Sequence, residues 1–264
     1  MGNMLTISNI YGHGYDEAQL EKLRSLGFKI RDQISRYAGS QILRFIDFPE
    51  WPYLEFIEVE NESDYFDFLP KGMVPYCPGI NLVIPEKSSK GISDFQQAYQ
   101  TWGSYSIHVN YDGSDQPDKP GWNYLNFDVP VVRDTFIYLT KPDNPKPLRT
   151  IATDHANTAK RVIGLVFNLD DGDLAKLAHL VEGELVGGEL DLAGVRIWSA
   201  NALAGKLSLP KKQFPLAAIV IEVESIDFFQ DKEDAKVFEF LSKPSVYIQT
   251  TDLSWDLIIT TGAE

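Results

Sequence analysis

Hydrophobic and polar residues alternate along much of the chain in short runs, and segments with helical spacing separate these runs. The first run is Leu5–Tyr11, and Asp16–Leu26 follows it with apolar or small residues at every third or fourth position. Further strand-like runs lie at Phe28–Ile34, Gln41–Phe48 and Tyr53–Glu60. The pattern therefore predicts a strand, a helix and three strands, which is a βαβββ unit.

The same order recurs along the rest of the chain at intervals of roughly 60 residues, which indicates internal duplication. The predicted second unit consists of strand Ile80–Ile84, helix Ser93–Trp102 and strands Tyr105–Tyr111, Trp122–Val129 and Thr135–Leu139. The third consists of Val162–Asn168, helix Asp173–Val181 and strands near Glu184–Leu192 and Val195–Ala200. The fourth and shortest consists of Ala217–Glu224, helix Lys232–Leu241 and strands Val246–Thr250 and Leu257–Thr261.

A polar turn separates the second unit from the third. It contains His155 and Asn157 and leads into the apolar run Val162–Asn168. We therefore predict two domains, residues 1–150 and residues 151–264, each a pair of units. The imidazole and the amide of this turn are expected to hydrogen-bond backbone groups of the chain that leaves the second unit, and only secondarily to contact a ligand.

Four segments carry a resemblance to a known family. They are Ile7-Ser8-Asn9-Ile10, Gly39-Ser40-Gln41 through Tyr53-Leu54-Glu55-Phe56-Ile57, Trp122-Asn123-Tyr124-Leu125 with Val129-Pro130, and His155-Ala156-Asn157-Thr158-Ala159. In this order and spacing, the chain resembles the vicinal oxygen chelate superfamily (glyoxalase, bleomycin resistance and dioxygenase proteins), most closely its glyoxalase-like branch. The resemblance implies an α+β fold in which βαβββ modules pair into two curled mixed sheets, with helices on the convex side and a pocket within.

The resemblance also implies a metal site, from which this chain departs. Metal-dependent members hold a divalent ion with His on a module's first strand and Glu on its last, because imidazole and carboxylate suit Fe, Mn, Ni, Co or Zn. Here Asn9 stands where the first His would fall, and the other first strands offer Ile80 or Asn81, Ile163 and Ala218. We therefore expect either no cofactor or a divalent metal held by His13 and Glu55.

Glu55 is the candidate catalytic residue. Along a strand, Tyr53, Glu55, Ile57 and Val59 share one face, but both faces carry charge and alternation alone does not say which is buried. The resemblance implies that Glu55 points into the pocket. In the alternative interpretation, Glu55 pairs with Arg44 on the neighbouring strand.

The remaining candidates are polar residues near the predicted sheet. His13 shares a face with Asn9 and Tyr11 if the strand continues through Gly12, although its flanking glycines favour a solvated turn. His108 lies on a polar strand face that points either to a wet cavity or to bulk water. The candidate ligand-binding residues are Asn9, His13, Arg44, Tyr53, His108, His155 and Asn157.

Charge and cysteine content restrict the possible partners and compartment. Lys and Arg total 24 against 38 Asp and Glu, which gives a net charge of −14 and disfavours nucleic acid and anionic membrane as partners. The single cysteine, Cys77, has no internal disulfide partner, and the N-terminus lacks the pattern of a signal peptide. We therefore expect a cytoplasmic monomer or homodimer whose partner is a small molecule.

The leading functional hypothesis is a glyoxalase-like small-molecule protein. As an enzyme it would be a lyase, isomerase or dioxygenase acting on a substrate with vicinal oxygens, with a metal polarising the oxygens and Glu55 moving a proton. The alternative is a non-catalytic ligand-binding or sequestering protein of the bleomycin-resistance type, without a metal. A third interpretation is an interaction scaffold with a collapsed pocket. The sequence does not identify the ligand.

Overall fold

The chain folds into two mixed sheets with helices between strands of each. A computed structural model of the chain describes residues 5–31, 35–37, 41–61, 73–74, 76–111, 118–144, 151–203, 209–210, 212–250 and 253–262. The Gly39-Ser40 part of the family resemblance lies outside these residues. Among the described residues, no helix is both long enough and apolar enough to cross a lipid bilayer.

The first sheet contains the strands of the first two predicted units. Its strands are β1 (Thr6–His13), β2 (Ser35–Tyr37), β3 (Gln41–Ile46), β4 (Tyr53–Val59), β5 (Gly79–Val83), β6 (Ser104–Asn110), β7 (Gly121–Phe127) and β8 (Phe136–Pro142). They are ordered β2-β3-β4-β1-β5-β8-β7-β6. Strand β1 runs parallel to β4 and antiparallel to β5, so the first strand of the chain lies at the centre of the sheet.

The second sheet repeats this order with the strands of the other two units. Its strands are β9 (Ala159–Phe167), β10 (Leu185–Val186), β11 (Glu189–Leu192), β12 (Val195–Ser199), β13 (Leu216–Val223), β14 (Ala235–Phe240), β15 (Lys243–Ile248) and β16 (Asp256–Thr261). Their order, β10-β11-β12-β9-β13-β16-β15-β14, matches that of the first sheet position by position. The predicted α+β fold of repeated βαβββ modules is confirmed.

Within the described residues, four α-helices connect these strands, namely α1 (Glu17–Ser25), α2 (Ile92–Ala98), α3 (Asp171–Leu180) and α4 (Asp227–Gln230). Helix α1 begins where Asp16 accepts a hydrogen bond from the Gln19 amide, while the Gln19 side chain bonds back to the Asp16 amide. It ends before Gly27, whose φ of 80° suits glycine. Local sequence thus sets both ends of this helix.

One hydrophobic core joins the two halves. Leu20 and Leu23 of α1, Leu174 and Leu177 of α3, and inward residues of both sheets belong to a single buried cluster. The helices of the two halves also contact each other, since the Tyr99 hydroxyl donates to the Leu180 carbonyl at 2.7 Å. The division into domains 1–150 and 151–264 stays a prediction.

Several predicted elements were wrong. Phe28 and Ile30 are buried but lie outside any strand, so the strand predicted at Phe28–Ile34 was wrong for residues 28–31, and residues 32–34 lie outside the described residues. The helix predicted at Lys232–Leu241 is strand β14, because Ala235–Phe240 pairs residue by residue with β15. The helix of the second unit begins at Ile92, after Gly91, and ends in a separate 3₁₀ turn, Gln100–Trp102. Over the described residues, the sheets are mixed as predicted but not curled.

Candidate functional site

Alternation in β1 and β4 divides the first sheet into two faces. Tyr11 lies opposite Glu55 in the parallel pair, so Asn9, Tyr11 and Glu55 project from the same face, which we call the site face. The other face carries Ile10, Leu54 and Phe56, and all of these lie in the main core with helix α1. Helix α1 therefore packs on the face of the sheet opposite Glu55.

A chain of side-chain hydrogen bonds crosses four strands of the site face. The Thr140 hydroxyl donates to Asn81 Oδ1 at 2.9 Å, and Asn81 Nδ2 donates to Asn9 Oδ1 at 2.9 Å. Asn9 Nδ2 in turn donates to Glu55 Oε2 at 2.6 Å. All four residues are buried, and every donor points toward Glu55. The chain therefore fixes the orientation of the Glu55 carboxyl group.

Burial changes the acidity of Glu55. Loss of solvent raises the pKa of Glu55 from 4.5 to about 7, and the positive charge of Arg31 opposes this rise. A carboxyl group with such a pKa exchanges protons near neutral pH, which is the property required of a general acid or base. Glu55 is thus chemically suited to proton transfer.

Arg31 is the charged residue next to Glu55. It is only 7% exposed, and its Nε atom lies 3.0 Å from Oδ2 of Asp47, which is itself 1% exposed. The guanidinium carbon lies 3.8 Å from the centre of the Phe45 ring. Phe45 is paired with Glu55 across β3 and β4, so the guanidinium stacks on the site face. Burial lowers the pKa of Arg31, and electrostatic interaction with Tyr53 and Glu55 opposes this.

Aromatic rings line the rest of this face. The Tyr11 ring contacts Phe136 and Tyr138, with ring centres 6.3 and 5.8 Å away. Gly79 lies directly beneath Tyr11, and a Cβ atom there would stand 1.9 Å from the ring. Tyr53 packs against Phe45, and burial raises the pKa of its hydroxyl, which hydrogen-bonds to Ser8. The site face is thus an aromatic surface with a polar line across it.

An open groove of about 820 Å³ lies between the two halves at one end of this face. Its walls include His13 and Tyr76 from the first half and Lys212, Phe214 and Ser254 from the second. Phe214 also packs in a cluster with Tyr11 and Phe136 of the site face. His13 in the groove wall follows Tyr11 of the site face by two strand positions, about 7 Å.

His13 is a buried strand residue and not the solvated turn residue that we expected. Strand β1 continues through Gly12, and His13 Nδ1 donates to the Cys77 carbonyl at 3.2 Å. Burial lowers the pKa of His13 to about 4, so the imidazole is neutral near neutral pH. His13 lies opposite Ile57 and not Glu55, so the two predicted metal ligands are offset along the strands.

Arg44 and His108 lie apart from Glu55. Arg44 is on the opposite face of β3, where it pairs with Glu58 at 2.7 Å, so the alternative ion pair between Arg44 and Glu55 was wrong. His108 is an exposed residue of edge strand β6, several strands away from β4. It hydrogen-bonds Asn123 at 3.0 Å.

His155 and Asn157 lie at the junction of the halves. His155 Nε2 donates to the Asp47 carbonyl at 2.7 Å, and its Nδ1 accepts from the Lys29 amide at 3.0 Å. Asn157 donates to the Leu26 carbonyl at 2.7 Å. Both residues bond backbone groups as expected, but these groups belong mainly to the first unit instead of the chain leaving the second.

The donor set of the site face does not fit a divalent metal. No group of three His, Cys, Asp or Glu side chains with metal-binding geometry occurs in the described part of the chain. The position expected for the first imidazole holds Asn9, whose oxygen already accepts from Asn81. A site normally needs three or more strong ligands, and here Glu55 and His13, which are offset along their strands, supply at most two.

Sequence reasoning missed Arg31, Asp47 and Thr140 as members of the site. Arg31 and Asp47 each stand next to apolar residues that are buried, Ile30 and Ile46. Two opposite charges within apolar runs are a signal for a buried ion pair, but the pattern does not say which charges meet.

Comparison with solved structures identifies the fold. The Mn(II)-bound glyoxalase from Novosphingobium aromaticivorans has a TM-score of 0.59 and 8% identity, covering 100% of this chain and 84% of that chain. The 2,2',3-trihydroxybiphenyl 1,2-dioxygenase from Sphingomonas wittichii strain RW1 has a TM-score of 0.55 and 8% identity, covering 98% and 91%. A 2,3-dioxygenase from Pseudomonas sp. KL28 has a TM-score of 0.56 and 10% identity, covering 100% and 94%.

The sequence itself is distant from characterised proteins. No family model matches it, and no curated protein matches it either. At such low identity, the likeness to solved structures shows the fold and not the activity. The chain has the fold of the vicinal oxygen chelate proteins, as its sequence motifs predicted.

Proposed function

We propose that this chain is a small-molecule enzyme of isomerase or lyase type that transfers a proton on a substrate with adjacent oxygens. Glu55 would be its acid–base group. The observation that carries the proposal is the buried Glu55 carboxyl, whose pKa is raised to about 7 and whose orientation Asn9 fixes at 2.6 Å. A glyoxalase among the structures with this fold supports the same substrate class.

The proposed step needs no redox partner. The ionised Glu55 carboxylate removes a proton from a carbon next to a carbonyl group, and the electron pair of the C–H bond forms the enolate. For a 2-hydroxy carbonyl substrate, the hydroxyl proton then moves from one oxygen of this enediolate to the other, and return of the carbon-bound proton to the former carbonyl carbon completes an isomerisation. Expulsion of a leaving group from the enolate, with its electron pair, completes an elimination. Because a resident metal does not fit the donors, each step uses groups of the chain itself.

The groove supports access to this group. Its wall at His13 is formed by the same face and the same strand as Tyr11, which is paired with Glu55. The aromatic rings beside Tyr11 offer apolar surface to a small organic molecule. We therefore propose that the substrate enters through the groove and meets Glu55 beyond Tyr11.

Proton exchange in D₂O tests the proposal. The loss of C–H signals next to the carbonyl of hydroxyacetone and of pyruvate is followed by proton NMR with and without the protein. We expect Glu55→Gln to slow exchange by about 100-fold or more. Glu60→Gln, at an exposed carboxylate just beyond the end of β4, should exchange like the parent. The parent rate should rise with pH, with a midpoint near the Glu55 pKa of about 7.

Two results would contradict the proposal. One is exchange that survives in Glu55→Gln, which would move the chemistry to another group. The other is ligand binding by the parent without any exchange, which is the outcome that a non-catalytic sequestering protein predicts.

A further inference from the structure

The Arg31 side chain is buried with part of its hydrogen-bonding capacity unused. Nε lies 3.0 Å from Oδ2 of Asp47 in the ion pair, but neither Nε nor the buried Nη2 has a hydrogen-bond partner among the described residues. A guanidinium group carries several N–H donors, and a buried donor without an acceptor loses the hydrogen bond that it would make with water. The arrangement is therefore costly unless something else accepts from Nη2.

The guanidinium lies on the site face and acts electrostatically on Glu55. It stacks on Phe45, which is the partner of Glu55 in the sheet, and its charge acts on both Glu55 and Tyr53. The stacking fixes the plane of the group, and the ion pair fixes its rotation about the stem. Arg31 thus presents a positioned, positively charged donor beside the proposed base.

We propose that Arg31 anchors an anionic oxygen of the ligand, so that the substrate class is a small carboxylate with a second oxygen on the adjacent carbon, such as a 2-oxo or 2-hydroxy acid. The carboxylate accepts from Nη2, and the C–H bond that reacts then faces Glu55. This assignment rests on the proposed function for its catalytic part. The binding part stands on the Arg31 geometry alone.

Charge supports an anionic ligand over a neutral one. Removal of a proton from a carboxylate substrate creates a second negative charge, and a fixed guanidinium stabilises that charge where it develops. Asp47 partly neutralises Arg31, which keeps the buried cation stable before the ligand arrives. The Asp47 backbone carbonyl is held by His155 from the second half, so both halves position the anchor.

Oxalate is a suitable probe because it has two vicinal carboxylates and no C–H bond, so that its binding is independent of catalysis. Isothermal titration calorimetry measures its affinity for the parent and for Arg31→Met/Asp47→Asn, in which both buried charges are removed together. We expect the double variant to bind oxalate about tenfold to 100-fold more weakly, as for a lost hydrogen bond to a charged group.

Two further variants separate the anchor from general effects. Asp47→Asn leaves the Arg31 charge unopposed, so it should bind oxalate more tightly than the parent, which a merely structural role of Arg31 would not produce. Arg161→Met removes a half-buried arginine of the second half that pairs with Glu222 at 2.9 Å, and it should bind oxalate like the parent. Circular dichroism and a thermal melt of each variant check its folding.

The outcomes distinguish this inference from the proposed function. If the double variant loses oxalate binding, the anchor is supported. If in that case the parent catalyses no proton exchange, the proposed enzyme is refuted. If hydroxyacetone exchange depends on Glu55, the proposed enzyme is supported. If in that case the parent does not bind oxalate, or the parent and the folded double variant bind it equally, the anchor is overturned. If both hold, Arg31→Lys should lose pyruvate exchange more than hydroxyacetone exchange, because only pyruvate carries the carboxylate.

Discussion

Replacing His155 with alanine should destabilise the chain strongly near neutral pH and much less in mild acid. The imidazole donates from Nε2 to the Asp47 carbonyl and accepts at Nδ1 from the Lys29 amide. Only the neutral form can do both, because a protonated Nδ1 would face the Lys29 N–H group. Burial accordingly lowers the pKa of His155 from 6.5 to about 4, with Asp154 opposing the shift and Lys29 adding to it.

The pH dependence follows from this shift. The unfolded chain takes up a proton at a pKa near 6.5, whereas the folded chain takes it up only near 4, so stability falls as the pH falls between these values. Between about pH 7 and about pH 5, the site loses about 2 kcal/mol. At neutral pH, the alanine variant lacks two partly buried hydrogen bonds, which cost about 2 to 3 kcal/mol.

Urea unfolding measures both effects, with the fluorescence of the fully buried Trp255 as a reporter of the core. The free-energy difference between parent and His155→Ala should shrink from about 2 to 3 kcal/mol near neutral pH to below about 1 kcal/mol near pH 5. His108→Ala is the control, because its effect on the free energy of unfolding should change with pH in the opposite direction. Hydrogen bonds, of which the one with Asn123 is the largest cause, raise the pKa of His108. An equal difference at both pH values would refute the neutral, doubly bonded imidazole.

Three further predictions concern the site face. Elemental analysis after dialysis should find less than one divalent metal per chain, and stoichiometric metal that Glu55→Ala removes would contradict the misfit of the donors. Because the pKa of Glu55 is raised, its contribution to the free energy of unfolding is greatest below about pH 4.5 and is lost as the pH rises through about 7. In mild base, urea unfolding should therefore show Glu55→Gln to be more stable than the parent by about 2 to 3 kcal/mol. Gly79→Ala should lower the melting temperature, because its Cβ would overlap the Tyr11 ring, and an unchanged melt would show that the ring can move aside.

The repeated fold could be predicted because each unit carries its own local signals. Alternation placed β1 and β4 within two residues of their observed ends, and Gly27 marked the end of α1. The failures occurred where one pattern fits two structures. Ala235, Phe238 and Leu241 have helical spacing, yet Ala235–Phe240 also alternates, and pairing with β15 decides for a strand.

The candidate site could be predicted only in part, for a similar reason. Glu55, Asn9 and Tyr53 follow from one strand pair and the family resemblance, because strand periodicity fixes which residues share a face. Arg31 comes from a segment without regular structure, and its place depends on tertiary contacts with Phe45 and Asp47. Long-range pairing of charges is not encoded in local spacing.

The second sheet shows why the proposed function is assigned to the first. The corresponding face of the second sheet carries an apolar cluster that includes Val166, Trp198 and Ile258. Its buried carboxylate, Asp256, is occupied on both oxygens, since Oδ1 pairs with Lys212 at 2.6 Å and Oδ2 accepts from the Tyr247 hydroxyl at 2.6 Å. A carboxylate held in this way stabilises the fold but has no oxygen left for a substrate. The two sheets thus share one strand order, but the face that is apolar in the second sheet carries the buried polar residues around Glu55 in the first. The unused donor of Arg31 lies on this face of the first sheet.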